Sequence, residues 1–310
     1  MSETPDAPAP SAPPPAPARA DTARKGLLVY FAVLALGSGV FQGLILRSGQ
    51  PIGESPWLVY ALMWTPGAAS IVARLVFREG FRDVSFRVGG APGWKAIGLG
   101  WLLPLAVGAL AYGLAWGAGL APFEVPLLPQ LGLDAFPPPL RFALLLALAL
   151  TLVSALSLLS AAGEEIGWRG YLLTRLVEAE VPRPVLVSAL IWGAWHLPLV
   201  LSGQYAAGGN RVLSGAVFLV TVVGIGFVVS WMRLSTGSVW PAIVLHGVWS
   251  AVIQGAFDTS TKGPSIWVGE SGILVAAASV GAAWLVARKP YGARRAPGEE
   301  PFATVPGLAG

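Results

Sequence analysis

Two histidines, His196 and His246, are the only imidazoles in a chain of 310 residues, and both lie inside apolar stretches. A third apolar stretch ends in paired carboxylates, Glu164-Glu165. Ionisable side chains are expensive at membrane depth, so each marks a functional site by default and needs a partner. The chain is only 12% charged, so such groups are few. Carboxylates and imidazoles together suit proton transfer to and from water, or ligation of a divalent metal.

Three motifs carry these groups. In Gly163-Glu164-Glu165-Ile166-Gly167-Trp168-Arg169-Gly170-Tyr171, Glu165 and Arg169 are four apart, which on a helix makes an ion pair. Glu164 lies about 100° further round the helix and is free to point elsewhere. The pair therefore divides into a clamped carboxylate and a working one; the plainer alternative is a charged helix end. In Trp192-Gly193-Ala194-Trp195-His196-Leu197-Pro198, His196 is about 16 Å into its span, counted from Val185 at ~1.5 Å per residue. Pro198 removes a backbone hydrogen bond nearby. The plainer alternative is a histidine satisfied by a neighbouring carbonyl. In the segment Trp240–Ser250, His246 and Ser250 share a helix face. The hydroxyl either pairs with the imidazole or bonds back to a carbonyl of its own helix.

The elements that must position these residues follow from composition. The chain is 55% hydrophobic, with a mean hydropathy of +0.66. Apolar runs of about 20 residues recur, each long enough to cross a ~30 Å hydrocarbon core. This predicts an all-α, polytopic transmembrane helical bundle of about eight spans. They are placed at Gly26–Leu46, Trp57–Phe77, Ala96–Leu120, Phe142–Ala162, Val185–Leu201, Val212–Met232, Val239–Phe257 and Ile266–Ala287. Alternating the connections puts sixteen Lys and Arg on one side and four on the other, which predicts both termini in the cytoplasm. The glutamates must reach the depth of the histidines. Their helix is therefore expected to run past Tyr171 towards Val177, with Arg175 and Arg183 marking the cytoplasmic surface.

Residues 1–25, rich in Pro and Ala, are expected to be a disordered tail, residues 26–287 the bundle, and residues 288–310 a flexible tail. The first apolar run lacks a small-residue cleavage site and reads as a retained span rather than a signal peptide. There is no cysteine, which excludes disulfides and thiolate metal sites. The net charge of +4 comes from loop residues and is explained by topology; no basic stripe interleaved with aromatics points to nucleic acid.

Taken in order, a Glu-Glu-xxx-Arg helix, an aromatic-xxx-His span and a His-xxx-polar span resemble the CAAX prenyl endopeptidase family. Its prokaryotic members are the CPBP (CAAX protease and bacteriocin-processing) intramembrane proteases. The resemblance covers roughly residues 142–257. It implies an intramembrane endopeptidase in which Glu164 activates water, Glu165 and Arg169 support it, His196 works beside it and His246 serves the oxyanion side. Two positions depart from the family's pattern: Trp192 stands where Phe is usual, and Ser250 where Asn is usual. Serine reaches less far, and one lost oxyanion donor can cost on the order of 10²–10³ in rate. A second reading is therefore a catalytically weakened member acting as a membrane scaffold or immunity protein. A transporter is less favoured, because the polar groups cluster in the second half of the chain. The resembling family leaves metal and glutamate chemistry both open; with no His-Glu-xx-His helix in this chain, metal-free glutamate chemistry with no cofactor is favoured. Zinc is the alternative, on Glu164, His196 and His246. The expected partners are a peptide or membrane-protein substrate and the lipid bilayer, with no nucleic acid. The expected setting is a bacterial inner membrane, with the pocket reachable from the cytosol. Neither substrate identity nor oligomeric state is legible.

Overall fold

A computed structural model describes residues 16–205, 209–263 and 265–289. Among these residues there is no strand, only one isolated bridge between Phe123 and Thr261. Eight apolar helices follow in order: α1 (Ala16–Ser48), α2 (Pro56–Phe77), α3 (Gly90–Gly117), α4 (Pro138–Glu178), α5 (Pro184–Ser202), α6 (Arg211–Thr236), α7 (Trp240–Ser260) and α8 (Ile273–Ala287). The first seven are long and apolar enough to cross a membrane. The chain is thus an all-α, multi-pass helical bundle. Helix α1 packs on α2, α5 on α6, α6 on α8, and both α3 and α4 on α7.

Two ends differ from the sequence reading. Helix α1 starts at Ala16, ahead of the expected Gly26, so residues 16–25 are not a disordered tail. Ala20 and Ala23 are buried, and Arg24 donates to the carbonyl of Ala179 at 3.5 Å, which ties this turn to the end of α4. The rest of the expected N-terminal tail, and residues 290–310 of the C-terminal one, lie outside the described residues. Arg288 still sits over the Trp284 ring at 3.5 Å.

The second difference is α8. It has 15 residues, so at ~1.5 Å per residue it is shorter than a ~30 Å core. The expected span began at Ile266, but the chain is irregular until Gly272. Val268 and Glu270 turn inward there and are buried. Gly269 takes φ 88°, and a Cβ on Gly272 would sit 2.3 Å from the carbonyl carbon of Val268, so the turn needs both glycines.

Helix α4 is the element that matters most for the site. It is a single 41-residue helical run that carries the glutamates past Tyr171 to Glu178, as the charge placement predicted. It widens to π-helical turns at Ala149–Val153 and Trp168–Leu172. The second widening frees carbonyls that arginines from other helices take up. Arg233 of α6 donates to the Arg169 carbonyl at 3.2 Å, and Arg74 of α2 to that of Gly170 at 2.8 Å. Helix α7 widens in the same way over Ser250–Phe257. Such bulges gather at functional sites because they re-aim side chains within one helix.

Candidate active site

Glu164 and Glu165 are on the interior face of α4 and are 1% and 0% exposed. Their environments differ as the spacing predicts. Arg169 Nη1 donates to Glu165 Oε1 at 2.9 Å, one helical turn on. The same oxygen faces His246 Nδ1 at 2.9 Å, so α7 is tied to α4 through this carboxylate. The fully buried Arg169 guanidinium also lies 4.2 Å from the centre of the Trp192 ring, a cation–π contact.

Glu164 is held by indoles instead. Trp168 Nε1 donates to its Oε2 at 3.1 Å, and Trp192 Nε1 to the same oxygen at 2.8 Å. Trp168 is one turn along on α4, whereas Trp192 reaches across from α5. Position 192, where the sequence reading saw only a mild aromatic exchange, thus supplies a donor that phenylalanine lacks.

His196 points its Nδ1 at the carbonyl of Trp192, 2.9 Å away on its own helix. A carbonyl only accepts, so Nδ1 carries the proton and Nε2 is left as the lone-pair nitrogen. The ring is stacked on Tyr205, with centroids 5.9 Å apart, and edge-on to Trp195. His246 spends its Nδ1–H on Glu165, and its Nε2, with or without a proton, is left for the interior. Ser250 takes the plainer of its two readings and donates to the backbone carbonyl of His246 at 3.2 Å.

Glu164, His196, His246 and Ser250 line one cavity of about 140 Å³. That is room for a few waters. Glu165 and Arg169 stand behind it as supports. Four further lining residues were not singled out from the sequence. Glu270, from the irregular 265–272 segment, accepts from Trp249 Nε1 at 2.7 Å and from the Tyr205 hydroxyl at 2.6 Å. Gln254 Nε2 donates to the Tyr205 oxygen at 2.9 Å. Burial and the Glu270 charge push the Tyr205 hydroxyl well above its usual range, which keeps it a donor. The missed signal was available: Glu270 is a carboxylate inside a run read as a membrane span, the same criterion that selects Glu164.

The lining extends towards the 49–55, 203–205 and 265–272 connections, through Ile52, Tyr205 and Glu270. These are the ends opposite the arginine-rich connections. Tyr30, Trp168, Arg169 and Tyr171, all fully buried, fill the bundle on the arginine-rich side. The expectation of a pocket opening on the basic, cytosolic side does not match this lining; bulky aromatics seal that side.

A zinc site needs three donors aimed at one point. Among the described residues no three His, Asp or Glu side chains group as a metal-holding set. Glu164 Oε2 takes two indole donors and each histidine is bonded through Nδ1, which leaves Oε1 and both Nε2 atoms as the free donors.

Comparison with known proteins bears on the same segment. Residues 142–252 match the family described as Rce1-like, type II CAAX prenyl endopeptidase. The chain is also 31% identical over 96 residues to CAAX prenyl protease 2 of Methanococcus maripaludis, a stretch that is 29% of this chain and 35% of that protein. The match therefore spans about a third of the curated relative. Residues 142–252, which hold both glutamates, both histidines, Arg169 and Ser250, are therefore the part of this chain that is similar to the Rce1-like CAAX prenyl endopeptidases.

Proposed function

We propose that the protein is an intramembrane endopeptidase that hydrolyses a peptide bond with water activated by Glu164. One observation carries this reading: a carboxylate and two imidazoles from three separate helices line one cavity. Proton transfer needs such groups within reach of one water and one carbonyl.

The chain's own residues supply each step. The two indoles fix the Glu164 carboxylate through Oε2, so Oε1 faces the water and takes its proton. His196 Nε2 accepts the water's other hydrogen and aims the oxygen at the scissile carbonyl. The oxygen attacks the carbonyl carbon and the carbonyl π pair moves onto its oxygen. His246 in its protonated form, balanced by Glu165, donates Nε2–H to that oxyanion. Collapse expels the amine, which takes the proton back from Glu164. Arg169 keeps Glu165 ionised so that it can balance His246.

The substrate is a peptide or membrane-protein segment, and the proposed setting is a bacterial inner membrane. The bond from Ser250 to its own helix carbonyl favours a second reading, a weakened member with a scaffolding role, since that hydroxyl is not offered to an oxyanion. One comparison separates the two. Membrane peptides are profiled in cells making the wild-type protein or Glu164→Ala. Peptides present only with Glu164, and cleavage by purified protein that survives a zinc chelator, are expected. Identical peptide profiles would end the protease reading, and activity restored only by added zinc would end the metal-free form of it.

A further inference from the structure

Glu270 is a second buried acid on the same cavity, and the reaction above gives it no part. It is 7% exposed. Trp249 holds one oxygen and Tyr205 the other, while Gln254 fixes Tyr205. Three side chains are thus committed to presenting one carboxylate. The backbone delivers it: the chain is irregular over 265–272, with Gly269 at φ 88° beside Glu270, and Glu270 is buried there. Irregular backbone at membrane depth is tolerated only where it is buried in protein or lines a cavity. A buried acid there costs free energy that a structural role alone does not explain.

The cavity's other walls match in sign. Trp195, Tyr205, Phe218 and Trp249 present aromatic surface, Glu164 adds a second carboxylate, and among the described residues no Lys or Arg lines it; the Trp192 ring already carries Arg169. Aromatic faces with carboxylates attract cations, more strongly when desolvated.

We propose that Glu270, held by Tyr205 and Trp249 beneath the aromatic wall, is the seat for a cationic side chain of the substrate, a lysine or arginine close to the scissile bond. The assignment of that cation to a cleaved peptide rests on the protease reading; the preference for positive charge rests on the cavity alone. Glu270 acts in selection and the chemistry stays with Glu164.

The test uses three hydrophobic peptide amides, identical except for one central residue: lysine, norleucine or glutamate. Each is titrated by calorimetry into the full-length protein carrying Glu164→Ala, so that nothing is cut. The lysine peptide is expected to bind about tenfold more tightly than the norleucine one, and the glutamate peptide most weakly. Adding Glu270→Gln should bring lysine and norleucine to within about twofold. Equal affinities in the parent, no measurable binding of the lysine peptide, or a lysine preference that survives Glu270→Gln overturns the proposal. If Glu270→Gln does not fold, the three-peptide comparison in the parent decides alone. Cleavage by protein with Glu164 intact is scored separately. No cleavage beside lysine-selective binding removes the protease and leaves the seat. Cleavage without lysine-selective binding removes the seat and leaves the protease.

Discussion

The decisive residue-scale feature is the way Glu164 is held. Charge-assisted hydrogen bonds are about twice as strong as neutral ones, and a buried carboxylate that loses a donor keeps its desolvation cost. Trp192→Phe removes the 2.8 Å bond to Glu164 and little volume, while the 3.1 Å bond from Trp168 remains. A loss of about 1.5–3 kcal/mol is expected for a bond to a charged group, so kcat should fall roughly 10- to 100-fold with KM nearly unchanged. A structural role alone would instead lower thermal stability and leave kcat per folded molecule intact, so both are measured on the same preparations. Phe is the residue usual at this position in the resembling family, so the result also shows whether this chain has come to depend on its indole.

At the scale of elements, the site depends on how closely α2 and α4 approach. A Cβ on Gly167 would lie 2.4 Å from the Pro66 carbonyl carbon, and backbone cannot swing aside as a flexible side chain can. Close backbone approach through small residues is how membrane helices gain packing without a hydrophobic drive between them. Gly167→Ala is expected to destabilise the protein by about 1–3 kcal/mol, as overpacking does. Gly281→Ala on α8, which meets nothing within 4 Å, should leave the unfolding midpoint unchanged or slightly raised. Denaturant unfolding of the purified protein checks both, and equal effects would show that the contact is not limiting. The length of α4 was legible because Arg175 and Arg183 could not sit deeper than a membrane surface, and the Glu165–Arg169 pair because i, i+4 spacing needs no tertiary knowledge. The Trp168–Glu164 bond has the same spacing and was legible in principle. The bond from Trp192 was not, since it joins two helices whose rotation the sequence leaves open. Glu270 was hidden by averaging: one acid among apolar neighbours does not spoil a hydropathy window, nor do Gly269 and Gly272, the glycines that the turn requires.

For the whole molecule, the connection between α2 and α3 locks three helices together through Asp83. Arg74 of α2 pairs with its carboxylate, Arg175 of α4 reaches it at 2.9 Å, and Arg233 of α6 donates to its backbone carbonyl. Arg175 also binds Glu79 at 2.9 Å and Glu178 at 2.6 Å, so this end of the bundle is an ion network rather than a hydrophobic plug. Arg74 and Arg233 also hold the π-turn carbonyls behind the glutamates, which couples the network to the position of the site. Burial alone would raise the Asp83 carboxyl, but Arg175 and Arg74 outweigh it and hold the group below its ordinary value of 3.8. A carboxylate depressed by folding adds stability that is complete above the unfolded value and is lost as pH falls through the lower folded one. Asp83→Asn should therefore unfold at a lower temperature than wild type at pH 7. The gap should stay constant down to about pH 5 and close below about pH 4, where the wild type too becomes protonated. Its side chain is a third exposed, so added salt should narrow the gap at pH 7 as well. Melting curves in detergent across this range decide the matter: a gap that persists unchanged to pH 3 would mean that Asp83 acts through shape or its backbone bond and not through charge.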